Sequence, residues 1–205
     1  MIRRQLALIV ALTLLAAGLR IYHLSRSPLD GDEAFAVRYW AASPTETLTT
    51  LAAQEPHPIG TFLLFWAWKS LVGGSEFAMR SLSMLINLFG VAAMFALAWH
   101  LFQDIRLASV GALLWAIDPF QIAHAQDARN YAIWASLSVL TLWLLVRAVD
   151  TNRRRDWALY AIAVTGGLYI FFAEVSVVAV HFFYLLIFRR RALRGWVITM
   201  LVVGI

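Results

Sequence analysis

Residues 152–191 read "NRRRDWALYAIAVTGGLYIFFAEVSVVAVHFFYLLIFRRR". Two arginine clusters, Arg153–Arg155 and Arg189–Arg191, enclose an apolar block, 157–188, with Glu174 near its middle. Arginine clusters flank the cytoplasmic ends of membrane helices. Two such ends on one side require the chain between them to cross the membrane and return. The block is therefore expected to be a hairpin of two short helices, with Glu174 at the outer turn.

The rest of the chain fits this frame. Hydrophobic residues make up 61% of the 205 and charged ones 14%, with a mean hydropathy of +0.72. A polytopic helical membrane protein has this balance and a soluble domain does not. The net charge of +5 sits in short clusters between apolar runs, which argues against a nucleic-acid partner. There is no cysteine, so disulfides and cysteine-based metal or nucleophile chemistry are excluded.

Clear apolar runs cover 5–22, 81–102, 107–123, 131–149, 157–173 and 175–188, and a seventh begins at Gly195. The expected architecture is an all-α polytopic module over 1–205 with about seven spans, the last one truncated. The first run has a basic start at Arg3 and Arg4 but no clean cleavage site, so it reads as an uncleaved helix anchored by Arg20 and Tyr22. Parity decides the segment 59–72, "IGTFLLFWAWKSLV". Counting it as a span would put Arg153–Arg155 on the wrong side, so it is expected to be interfacial or re-entrant.

The outer face then receives the first extracytoplasmic loop, 23–80, together with about 118–130 and the turn at Glu174. It carries nine of the twelve acids, and the inner face carries eleven of the seventeen Lys/Arg. Within 23–80, "SPTE" from Ser43 to Glu46 is a capping box that starts a short helix. Asp30 or Asp32 can cap an earlier helix running to about Ala42, with Phe35 and Tyr39 one turn apart. Both helices are expected to lie along the membrane surface.

Several polar groups share the outer face: Asp32 with Glu33, Glu55 with His57, Glu76 with Arg80, and Asp127 with Arg129 and Tyr131. Each has an ordinary explanation by itself. Adjacent acids after a glycine cap helices, and arginines at an interface anchor headgroups. His57 between prolines suits a turn, His181 an apolar core, Asp118 before Pro119 a helix end, and Glu174 a hairpin turn.

Jointly they suit sugar transfer from a lipid phosphate. A carboxylate takes the acceptor's proton, and the phosphate leaves as an anion that cations stabilise. An ordinary glycoside hydrolase would need a second carboxylate across the bond. Asp32 and Glu33, as helix neighbours, point about 100° apart, so only one of them is expected to be the base.

Three stretches, "DGDEAFAVRYWA" (30–41), "EPHPIGTFLLFWAWKSLVGGSEFAMRSLS" (55–83) and "AHAQDARNYAIWASLSVLTLWLLVRAV" (123–149), resemble in order and spacing the bacterial dolichyl-phosphate-mannose protein mannosyltransferases. These are GT-C glycosyltransferases, related to the aminoarabinose transferase of lipid A and to the oligosaccharyltransferase catalytic subunit. The resemblance implies inverting transfer from a polyprenyl-phosphate sugar outside the cytoplasm, in the plasma (inner) membrane of the cell envelope; the arginines Arg3 and Arg4 separately put the N-terminus in the cytoplasm. The acceptor would be a protein, a lipid or a glycan.

By motif position, Asp32 matches the family's catalytic acid and Glu33 its companion. Arg80 matches a recurring arginine before the second span, and with Arg129 and Tyr131 would bind the donor phosphate. Asp127, His57 and Glu55 would support the site. His57-Pro58 departs from the family's His-Pro-Pro, since Ile59 replaces the second proline. No cofactor is expected to be obligatory; a divalent ion shared by Asp32 and Asp127 is the alternative to arginine electrostatics. Family members are much longer, so the chain is expected to be a fragment or a truncated reading frame. The competing class is a non-catalytic transporter or lipid-binding module. Transporters place ionisable groups near the bilayer midplane, whereas here they gather at one interface.

Overall fold

The computed structural model describes residues 2–25, 28–34, 43–46, 48–49 and 58–204. Every regular element among them is helical: α1 (Ile2–Ile21), α2 (Ile59–Val72), α3 (Glu76–Phe102), α4 (Ile105–Ile117), α5 (Pro119–Ala125), α6 (Tyr131–Thr151), α7 (Arg154–Ile170), α8 (Glu174–Phe188) and α9 (Leu193–Val203). Each apolar run of the sequence is helical, and each but 107–123 forms a single helix. Three of them (α1, α3 and α6) are long and apolar enough to cross a membrane, and α4 with α5 makes a fourth if that bent pair is one span. Helices α7, α8 and α9 have 17, 15 and 11 residues, short of the roughly 20 a straight span needs.

The run 107–123 is not one straight crossing. It bends by 53° between α4 and α5. Asp118 ends α4 and caps α5, accepting from the N–H groups of Phe120 and Gln121 at 3.4 and 3.3 Å. Pro119 has no N–H to give the carbonyl of Trp115, and the last carbonyls of α4 need other partners. Arg20 supplies them. Its guanidinium donates to the oxygens of Ala116 at 2.8 Å and Trp115 at 3.1 Å, and to Asn87 Oδ1 at 2.8 Å. This corrects the expectation that Arg20 is an interfacial anchor: it is fully buried, because the broken helix beside it offers carbonyls that nothing else satisfies.

Helix directions alternate, so the ends sort into two sets. At one end, Ser83 Oγ donates to the Arg129 carbonyl at 3.0 Å, Asn130 Nδ2 to the Ile170 carbonyl at 3.2 Å, and Trp134 Nε1 to Glu174 Oε2 at 2.9 Å. At the other end, His100 meets Asp150 at 2.8 Å, Arg147 meets Asp156 at 3.0 Å, and Arg189 meets Asp150 at 3.6 Å. The acid-rich loops and the arginine clusters therefore lie at opposite ends of the bundle. Helix α2 stays at the first end. Thr61 near its start donates to the Ile170 carbonyl at 2.8 Å, and Trp68 near its finish donates to the Ala78 carbonyl at 2.8 Å.

Packing relies on small residues, which let helices approach without a water-driven hydrophobic effect. Ala16, Ala98, Ala108, Ala112 and Ala116 are buried where α1, α3 and α4 meet. A Cβ on Gly90 would lie 2.4 Å from the Trp115 ring. A second cluster, with Phe62, Phe65, Met79, Leu82, Ile133 and Ile170, joins α2 to the ends of α3, α6 and α7. That cluster is the floor beneath the acid-rich end.

Candidate functional site

The stretch from Asp30 to Glu33 builds its own turn. The N–H of Glu33 donates to Asp30 Oδ1 at 2.8 Å, and the N–H of Asp30 donates to Glu33 Oε2 at 3.2 Å. This is a reciprocal capping box with aspartate in the serine position. It opens a helical turn over 31–34 and turns the Glu33 side chain inward.

Glu33 is 2% exposed. Arg80 Nε donates to its Oε1 at 2.8 Å and Arg80 Nη2 to its Oε2 at 2.5 Å. The N–H of Ala128 adds a fourth donor at 2.8 Å. A carboxylate has about four acceptor positions, and these four donors fill them. Burial opposes its ionisation, but the bonds from Arg80, Ala128 and Asp30 outweigh it and hold the carboxyl below the usual glutamate range. Arg80 is equally committed: its Nη1 donates to the Leu24 carbonyl at 3.0 Å and its Nη2 also to the Pro28 carbonyl at 3.2 Å. Glu33 and Arg80 thus clamp three segments, the turn after α1, the start of α3 and the 126–130 loop. A phosphate would have to displace these partners to reach the Arg80 guanidinium.

Asp32, one residue before, faces outward with its side chain 82% exposed. Arg129 Nη1 lies 3.3 Å from its Oδ2. The Arg129 guanidinium also sits 5.7 Å from the centre of the Tyr131 ring, and Tyr131 packs edge-on against Phe171. The exposure of Asp32 makes its pairing with Arg129 weak and easily exchanged.

Asp127 lies between the clamp and this pair. It helps line a polar cleft of about 210 Å³ with His23, Asp30, Glu33, Arg80 and Gln126. Its Oδ1 is buried with no hydrogen-bond partner among the described residues. Burial, and next the charge of Glu33, push its carboxyl up to about 7, against the pull of Arg129.

Asp32, Glu33, Arg80, Asp127, Arg129 and Tyr131 therefore come together at one end of the bundle. Glu55 and His57 lie outside the described residues, as do Phe35 and Tyr39. Ser43 caps its helix as expected, with the Glu46 N–H donating to Ser43 Oγ at 3.2 Å. Among the described residues no group of three or more His, Asp or Glu side chains is placed to hold a metal ion.

Two features were not anticipated from the sequence. The Asp-x-x-Glu spacing of a capping box stands in residues 30–33, but its second member's partner, Arg80, is 47 positions away. Glu174 does more than mark a turn. It is fully buried and receives Trp134 Nε1 on α6, with the hydroxyls of Ser138 and Thr141 at 3.2 and 3.3 Å.

The sequence model of the family described as dolichyl-phosphate-mannose-protein mannosyltransferase matches residues 56–205, which is well over half of the chain. Arg80, Asp127, Arg129 and Tyr131 lie inside the matched segment, and Asp32 and Glu33 precede it. Among curated proteins and among solved structures nothing matches the chain.

Proposed function

The chain belongs to the dolichyl-phosphate-mannose-protein mannosyltransferase family, and from that premise we propose that it moves a sugar from a polyprenyl phosphate to an acceptor hydroxyl at the extracytoplasmic membrane surface. The family makes it a membrane glycosyltransferase of the GT-C type. The arginine-rich end faces the cytoplasm by the positive-inside rule, which puts the acid-rich end outside.

The observation that carries the reading is the meeting of an exposed carboxylate, Asp32, with a cation, Arg129, 3.3 Å apart. The acceptor oxygen attacks the anomeric carbon while its proton passes to Asp32. The bond from that carbon to the phosphate oxygen breaks, and its electron pair leaves with the phosphate. Arg129, supported by Tyr131, meets the developing charge. A single displacement of this kind inverts the anomeric centre. Donor binding exchanges Asp32 for phosphate on Arg129 and so frees the base. Glu33 and Arg80 are positioning residues, which fix the loop bearing Asp32 against the loop bearing Arg129. The acceptor hydroxyl belongs to a protein, a lipid or a glycan.

The test is transfer from a polyprenyl-phosphate sugar by the complete protein. Asp32→Asn is expected to abolish transfer while thermal stability stays within about 0.5 kcal/mol, as for exposed substitutions generally. Arg129→Ala is expected to raise the KM for donor more than that for acceptor. Near-normal turnover in Asp32→Asn would remove it from the base role.

A further inference from the structure

The geometry points to a seat for one anionic glycerophospholipid in the cleft between the ends of α6 and α8, at the end of the bundle opposite the reaction site. This inference is independent of the transferase reading. The cleft has a volume of about 700 Å³ and is lined by Asp150 and Asn152 at the end of α6 and by Ile187, Phe188 and the three arginines 189–191.

Its charge is unbalanced. Asp150 is the one acid among the lining residues, and it is already held by His100 at 2.8 Å and Arg189 at 3.6 Å. Arg190 spends its Nε on the Leu186 carbonyl at 2.8 Å, which fixes the side chain and leaves its terminal nitrogens to the cleft. Arg191 has no partner among the described residues. A 3₁₀ turn over Arg190–Ala192 presents the two arginines in succession.

Its second wall is apolar. Ile187 and Phe188 are 63% and 69% exposed and precede the arginines directly, on the helix side of the cleft. A free phosphate would use only the arginines. A lipid uses both walls, its phosphodiester on Arg190 and Arg191 and its acyl chains along Phe188 and Ile187. Basic pockets between membrane helices on the cytoplasmic side take anionic headgroups for this reason. A zwitterionic lipid adds a cation that the arginines repel.

The experiment follows the thermal stability of the full chain, purified and delipidated in a non-ionic detergent, during titration with phosphatidylglycerol, phosphatidylcholine or inorganic phosphate. Phosphatidylglycerol is expected to raise Tm saturably, and the other two are not. Arg190→Ser with Arg191→Ser is expected to weaken that response about thirtyfold, the effect of removing two arginines from an anionic headgroup. Arg153→Ser with Arg154→Ser removes the same charge from exposed positions outside the cleft and is expected to leave the response within about twofold. Equal responses to phosphatidylcholine, or equal loss in both double variants, would overturn the seat in favour of diffuse attraction. A full response to phosphate alone would overturn the lipid in favour of a free-anion site.

Discussion

Glu33 and Glu174 are both buried carboxyls at the same end of the bundle, 2% and 0% exposed, and they are held in opposite ways. Glu33 lies in a loop clamp and receives two guanidinium bonds and two backbone N–H groups. Glu174 lies between helices, and its partners are all neutral. Only Trp134 is a committed donor. Ser138 also reaches the Trp134 carbonyl at 2.9 Å, and Thr141 the Ser138 carbonyl at 2.9 Å, so each hydroxyl hydrogen has two acceptors to serve. Among the described residues no ion pair reaches Glu174. The contrast shows where charge is tolerated: a buried charge persists beside a matched charge, and a buried acid among apolar helices makes do with dipoles.

The comparison is most exposed to failure at Glu33. Glu33→Gln is expected to cost about 3–5 kcal/mol in a denaturation measurement, because it strands the Arg80 guanidinium in a buried site. Combining it with Arg80→Met is expected to recover part of that loss. If Glu33→Gln costs no more than Glu174→Gln, the clamp is not ionic and the contrast fails.

Gly167→Ala probes the other carboxyl. An added Cβ would lie 2.7 Å from Glu174 Cδ, and overpacking of this kind costs about 1–3 kcal/mol. The cost is expected to shrink in Glu174→Ala, where the obstructing atoms are gone. Additive losses would mean that Gly167 is needed for another reason.

Asp127 stands between the two cases, half-buried and near charges of both signs. Its carboxyl in the folded protein, at about 7, is above the ordinary 3.8, so the folded chain holds the proton more tightly than the unfolded one. Stability from this group is full below the ordinary aspartate range and is lost as the pH rises to about 7. Glu33 has the reverse sign: its folded value is depressed, so its contribution is present above the usual glutamate range and lost on acidification. The Tm of Asp127→Asn is therefore expected to gain on the wild type between about pH 4 and 7, and parallel curves would sink the assignment.

The smallest effect belongs to Glu174→Gln, at under about 1 kcal/mol, since the amide oxygen still accepts from Trp134. A loss as large as that of Glu33→Gln would show that Glu174 is held by a charge after all.

Much of the helical layout was legible in residue order alone. Apolar runs mark helices because backbone groups in lipid must be satisfied within their own segment, and the arginine clusters sort the helix ends. The caps at Asp30 and Ser43 are legible because their bonds join residues three apart. The bend at Asp118 was half legible: Pro119 announces a break, but its angle depends on Arg20 filling the freed carbonyls from another helix.

The candidate site was legible as a set of residue types and not as a set of roles. Asp32 and Glu33 are neighbours of the same charge; the bonds with Asp30 turn Glu33 inward, but nothing local says that Arg80 waits there to receive it. Likewise Arg80 and Arg129 look alike in sequence, yet one is consumed by a buried clamp and the other reaches an exposed carboxylate.

By itself, then, the sequence determined an all-helical membrane chain with most of its acids at one end and its arginine clusters at the other, because those properties follow from local hydropathy and charge. Only the tertiary structure decided that Glu33 takes Arg80, that Asp32 is left to Arg129, and that Glu174 turns inward. Those outcomes depend on which side chains meet across tens of residues, and burial makes the satisfied pairings the ones that survive.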